Sequence, residues 1–151
     1  MRIGADGTWY YRNSPINRLS LVKLFASALR READGRYWLV TPVERGLIAV
    51  EDAPFVAVDC TASGNGQDQS LRFRTNLDEE VTAGAEHPIR VVENAESAEP
   101  RPYLLVRPGL EALIARSVFY RLAALAVPAP DDPEILGLWS GGQFFTLGRT
   151  A

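Results

Sequence analysis

The chain has 151 residues, 46% hydrophobic and 23% charged, with a formal net charge of -3. That length suits one domain or two small packed ones, and the composition is that of an ordinary globular protein rather than a disordered or membranous one. The acidic balance argues against a broadly basic binder of nucleic-acid polymers, and one cysteine, Cys60, leaves no internal disulfide, as expected in a reducing cytoplasm.

The amino-terminal residues meet Asp6 and Gly7 before any apolar run, so no secretory leader is expected. No apolar stretch nears the roughly 20 residues that cross a bilayer. The expectation is a cytoplasmic protein with no membrane contact.

Residues 8–12 are aromatic and β-prone, and Asn13, Ser14 and Pro15 supply turn chemistry. Leu21, Leu24, Phe25, Ala28 and Leu29 then recur at helical spacing, which predicts an amphipathic helix over 18–32, ended by Asp34 and Gly35. Short apolar or alternating runs at 36–40, 47–50, 55–59, 71–75, 81–83 and 89–92 read as an antiparallel meander, with turns at 44–46 and 77–80. The polar stretch 61–70 reads as an exposed hairpin loop, and the acidic, proline-bounded stretch 93–102 as a surface connector.

Beyond it the first pattern returns. Residues 103–107 read as a strand and Pro108-Gly109 as a turn. Leu110, Leu113, Ile114, Ser117, Val118, Leu122 and Leu125 mark a second amphipathic helix, stopped by Pro128, Pro130 and Pro133. Gly141 and Gly142 between apolar runs signal a terminal hairpin. Strand, proline turn, helix and Trp-bearing hairpin thus occur at 8–50, with Trp38, and at 103–147, with Trp139, as in an internal duplication. The expected fold class is α+β, antiparallel strands with two amphipathic helices, divided into an α+β subdomain at 1–52 and a partial β-barrel plus helix at 53–151.

One His and one Cys cannot supply a zinc site, and Asp78, Glu79 and Glu80 read as a solvated turn tip rather than a cation site. No metal or cofactor is implied. Cys60 lacks the helical or cationic flank of a reactive thiol. Neither Gly64-Asn65-Gly66 nor Ser140-Gly141-Gly142 precedes a helix able to cradle phosphate.

Residues 71–92 are the most informative stretch, because they hold the single histidine, His87, among Arg72, Arg74 and Arg90. On a strand Arg72 and Arg74 share one face, opposite Leu71, Phe73 and Thr75. Joined by Arg90 and His87 from a neighbouring strand, they would grip an anion through charge-assisted bonds, with Thr75 and Asn76 adding neutral ones. Equally open is that the arginines form the wet face of an antiparallel sheet and His87 turns the chain before Pro88. All basic residues except Lys23 are arginines, which suits planar anion recognition but is also what codon bias in a high-GC genome yields. Trp38, Trp139, Tyr103, Tyr120 and Phe119 fit a core, and Trp38 or Trp139 could alternatively stack a base.

The segments DGTWYYRNSPINR, LVKLFASALRREADGRYWLVTPVE, FRTN, EHPIRV and LWSGGQFFTLG together resemble the bacterial domain-of-unknown-function family 1285, over nearly the full length. The resemblance implies an α+β protein with an internal duplication, a second part loosely similar to pleckstrin-homology-like barrels, and a ligand site between the parts. It also implies a nucleotide-like ligand and a signalling role, and it fixes no catalytic residue.

The functional expectation is a non-enzymatic binding module that takes a small anionic, nucleotide-like ligand in the cleft between its halves and relays occupancy by shifting their packing. Arg74 and Arg90 would bind phosphate with Arg72 beside them, Asn76 would fix orientation, and His87 would add pH-sensitive charge near neutrality. Trp38 or Trp139 would stack the base. Two other classes stay open: a protein-interaction adaptor that docks a partner on a sheet edge or apolar helix face, and a hydrolase or transferase with His87 as general base, assisted by Glu86 or Asp59.

Overall fold

Burial alternates residue by residue along Ser70–Thr75 and Leu110–Ile114, so each of these segments lays one face of a pleated strand on a core. The computed structural model describes residues 1–93 and 99–150.

The first sheet is built from β1 (Arg2–Ile3), β2 (Trp9–Tyr11), β3 (Ser14–Pro15), β4 (Leu29–Arg31), β5 (Tyr37–Val40) and β6 (Arg45–Val50), in the order β3-β2-β1-β6-β5-β4. Helix α1 (Leu19–Ser27) connects β3 to β4. The second sheet comprises β7 (Phe55–Ser63), β8 (Ser70–Thr75), β9 (Glu80–Thr82), β10 (Ile89–Glu93), β11 (Pro100–Arg107) and β12 (Leu110–Ile114), in the order β10-β11-β12-β7-β8-β9. Helix α2 (Arg116–Ala124) leads to a small antiparallel sheet of β13 (Val127–Pro128), β14 (Ile135–Ser140) and β15 (Gln143–Arg149). The described residues are thus mostly sheet with two α-helices, consistent with the α+β class.

Both large sheets obey one scheme. Three antiparallel strands are joined to three more through a parallel pair of the first and last, β1 with β6 and β7 with β12. The expected single antiparallel meander is therefore corrected: its strands divide between two sheets, and each sheet has a parallel seam.

Other expectations change in detail. The first helix ends at Ser27, and residues 29–31 are strand β4, so Asp34-Gly35 is the β4–β5 turn rather than a helix stop. Residues 110–114 form β12, and the second helix starts only at Arg116. Strand β7 runs to Ser63 and a 3-10 turn occupies Gly66–Asp68, which shortens the loop expected at 61–70. Of the expected connector at 93–102, residues 94–98 lie outside the described residues, while residues 100–102 are already strand β11. The Gly141-Gly142 hairpin forms as expected, with φ +57° and +77°, the left-handed pair of a tight hairpin turn.

One core unites these elements, including Ile3, Trp9, Phe55, Phe73, Leu104, Val118 and Leu138. Helix α2 contributes Val118 and Leu122, one turn apart, and α1 contributes Val22 and Ala26. Burying each large apolar side chain is worth about 1.5–3 kcal/mol. Among the described residues two hydroxyls are fully buried and satisfied: Thr75 Oγ1 accepts from the amides of Leu77 and Glu79, and Ser140 Oγ accepts from Leu71 N and donates to the Ala83 carbonyl. No helix of the described residues is long and apolar enough to cross a membrane.

Candidate ligand site

Arg72 and Arg74 do share the outward face of β8. Together with Asp59, Cys60, Thr61, Phe73 and Glu80 they line a concavity of about 140 Å³. Carboxylates surround them: Glu80 lies 3.6 Å from Arg72 Nε and Asp78 lies 3.5 Å from Arg74 Nη1. Arg121 takes Asp59 at 2.6 Å, and its hydrogen bond, with that of the Cys60 amide, holds the Asp59 carboxyl below the usual range. Burial pushes the Cys60 thiol up to about 12, so it remains protonated near neutrality. The three acidic residues at the 78–80 turn are not simply a solvated tip, since Arg107 Nη2 donates to Glu79 at 2.7 Å and Lys23 meets Asp78.

The other expected members lie elsewhere. Arg90 is on β10, with β11, β12 and β7 between it and β8; four strand spacings of about 4.8 Å put it roughly 19 Å away. It forms a fork with Glu111 at 2.7 and 2.8 Å, which raises its pKa, and its guanidinium sits 4.6 Å from the Tyr103 ring centre. His87 turns the chain with Gly84, and its Nδ1 lies 2.9 Å from the Leu105 carbonyl, so that nitrogen carries the proton and donates. Asn76 is a clasp: its Oδ1 accepts from Val56 N at 3.0 Å and its Nδ2 donates to the Gly7 carbonyl at 3.3 Å. Trp38 belongs to the first sheet, its ring flanked by Arg45 at 4.6 Å and Arg36 at 5.7 Å. Trp139 packs edge-on against Phe144. The fold brings Arg72 and Arg74 together but separates them from Arg90, and Asn76 is spent on the scaffold.

A different convergence was missed. Arg116, Phe119 and Tyr120 occupy i, i+3 and i+4 of α2, one helix face. They meet Pro100, Arg101 and Pro102 of β11 and Leu113 and Ile114 of β12 around a cavity of about 180 Å³, with Glu99 at its edge. Arg116 Nη2 donates to Glu99 at 2.8 Å. Arg101 Nη2 donates to Asp52 and its Nε to the Tyr103 hydroxyl at 3.3 Å, while that hydroxyl donates to Asp52 at 2.7 Å. The bond to Asp52 raises the Arg101 pKa, and burial, then the hydrogen bond to Asp52, raises that of Tyr103. Nearby, burial also raises Tyr37. The sequence signal for this groove was the spacing of Arg116, Phe119 and Tyr120. What hid it was reading residues 100–102 as connector.

Chemically, the groove offers two guanidinium groups, two aromatic rings and apolar walls. It suits an anion attached to a flat or apolar body. Among the described residues no group of three or more His, Cys, Asp or Glu is placed to hold a metal ion.

Residues 1–53 match the model "Domain of unknown function (DUF1285), N-terminal domain", and residues 54–147 match "Protein of unknown function (DUF1285), C-terminal domain". A DUF1285 family protein from Silicibacter pomeroyi DSS-3, solved by crystallography, is 49% identical with a TM-score of 0.92, over 99% of this chain and 80% of that one. Another, from Shewanella baltica OS155, is 28% identical with a TM-score of 0.60, over 80% of this chain and 87% of that one. No curated protein matches the chain.

Proposed function

The chain belongs to the DUF1285 family, and from that premise we propose that it is a non-enzymatic, cytoplasmic binding module for a small anionic, nucleotide-like ligand, in a signalling role. The observation that carries the reading is the groove in which Arg101 and Arg116 stand beside Phe119 and Tyr120. Guanidinium forks match phosphate oxygens, and aromatic faces accept a base. The ligand site is accordingly centred on these four residues rather than on Arg72, Arg74 and Arg90, because the groove sets two guanidinium groups and two aromatic rings around one cavity; carboxylates neighbour the arginines in both places, Asp52 and Glu99 here, Glu80 and Asp78 beside β8. We also read the common strand scheme of the two large sheets as the trace of a duplication, the second copy having drifted toward a pleckstrin-homology-like barrel.

A thermal-shift screen of nucleotides, signalling dinucleotides and simple phosphates tests this. Ligand at 100 times its dissociation constant adds about 2.7 kcal/mol of stability. A saturable shift that Arg116→Ala and Tyr120→Ala each abolish is the expected result, and a flat screen would overturn the reading.

The adaptor reading has one observation in its favour. Leu24, Tyr11 and Leu19 are 63%, 52% and 44% exposed, and Tyr11 joins Met1, Ile16, Leu21 and Phe25 in lining a cavity of about 310 Å³. If the ligand screen is flat, co-purification of one stoichiometric partner that Leu24→Asp releases would favour this second reading.

A further inference from the structure

We infer that Asp52 is a built-in competitor for the groove: its carboxylate occupies the Nε–Nη2 edge of the Arg101 guanidinium with Tyr103, so an anion that takes this edge and the Asp52 contact compete for the same donors. The inference rests on the ligand-binding reading above. Arg101 belongs to two structures at once. One side of its story is the groove, where it stands with Arg116; the other is the junction of the two family-defined parts, where it holds Asp52, a residue of the N-terminal part.

The donor geometry makes the two roles compete. Nη2 of Arg101 is given to Asp52 and Nε to Tyr103, so the Nε–Nη2 edge of the guanidinium is filled. A phosphate that takes that edge in a two-pronged grip must displace Asp52. The displaced carboxylate is not free in water, because the Asp52 side chain is 15% exposed. It would keep the Tyr103 hydroxyl and lose its only cationic partner among the described residues, and a poorly solvated charge without its partner is costly. The cost is relieved if the 51–55 segment shifts outward. The chain's own carboxylate therefore holds the guanidinium edge that the ligand's anionic group would take, and occupancy of that edge is converted into loosening at the junction. Removing the Asp52 charge weakens that competition and should tighten binding of the ligand.

The test is calorimetric titration of inorganic pyrophosphate into the wild-type chain and Asp52→Asn, with amide hydrogen exchange of residues 51–55 measured in the wild type with and without pyrophosphate. Asp52→Asn should bind at least about five-fold more tightly, the lower end of ordinary coupling between sites, and pyrophosphate should speed exchange at 51–55 in the wild type. Equal affinities, or exchange unchanged at saturation, would overturn the competitor role while leaving the binding reading intact. Absence of binding to either protein would overturn the binding reading and the competitor role with it. If Asp52→Asn does not fold, the exchange measurement on the wild type decides alone.

Discussion

Gly7 and Asn76 interlock where the first sheet meets the second. The Asn76 side-chain amide donates to the Gly7 carbonyl, and a β-carbon on Gly7 would lie 2.6 Å from that same nitrogen. Gly7 also has φ +87°, a conformation costly for any other residue. Gly7→Ala and Asn76→Ala should each destabilise the protein by about 1–3 kcal/mol, and the double variant should lose less than their sum, because both break one contact. Urea unfolding checks this; an Asn76→Ala midpoint equal to wild type would show that the clasp contributes nothing.

Ser140 should be the most sensitive polar residue. It is fully buried and joins the terminal hairpin to both Leu71 and Ala83. Ser140→Ala leaves a buried amide and a buried carbonyl without this partner and should cost about 2–4 kcal/mol, summing two typical losses. A shift in thermal midpoint no larger than that of an exposed-serine control would contradict the assignment.

Arg72→Ala and Arg74→Ala should each change stability by less than about 1 kcal/mol, as exposed ion pairs do. Arg90→Ala should cost about 1–3 kcal/mol, because it strips the fork from Glu111, which is only 16% exposed. None of the three should weaken pyrophosphate binding. Loss of binding in the Arg72/Arg74 double variant would return the site to the face of β8.

Cys60 should be slow to alkylate. Burial holds its thiol protonated up to about pH 12, above its ordinary value. The folded state therefore binds this proton more tightly than the unfolded chain, so the associated stability is present below the ordinary thiol pKa near 9 and is lost as pH rises from there toward 12. At pH 8 the folded protein should react with iodoacetamide far more slowly than the same protein in urea. Equal rates would contradict this.

The strands were largely legible because alternation in short runs such as Leu71, Phe73 and Thr75 corresponds directly to a buried face. The two helices were overextended for one reason. Leu110, Leu113 and Ile114 fit a helical spacing, yet Leu110, Ala112 and Ile114 fit an alternating one, and five residues cannot decide between periods. Tertiary pairing decided it: β12 is held between β11 and β7. The same applies to Leu29, which continues the period of α1 but pairs with Leu39. For the site, facing was legible and distance was not. Arg72 and Arg74 share a face, as alternation requires, whereas strand order, which puts Arg90 at the far edge and brings Arg101 to Arg116, depends on the parallel seams and has no local signature.

Those seams also set the order in which the chain can fold as it is made. β1 completes its pairing once residue 50 is available, but Phe55 must wait for Ala112, with all of residues 56–111 to be looped out before the contact forms. The two seams close loops of similar length, Ile3 to Val50 and Phe55 to Ala112, so they differ in when the closing strand emerges and not in closure entropy. During synthesis the first sheet can therefore assemble early, while β7 offers an open edge until β12 emerges. Conditions that slow synthesis through 56–111 should lower the yield of soluble protein more than an equal delay within the first fifty residues.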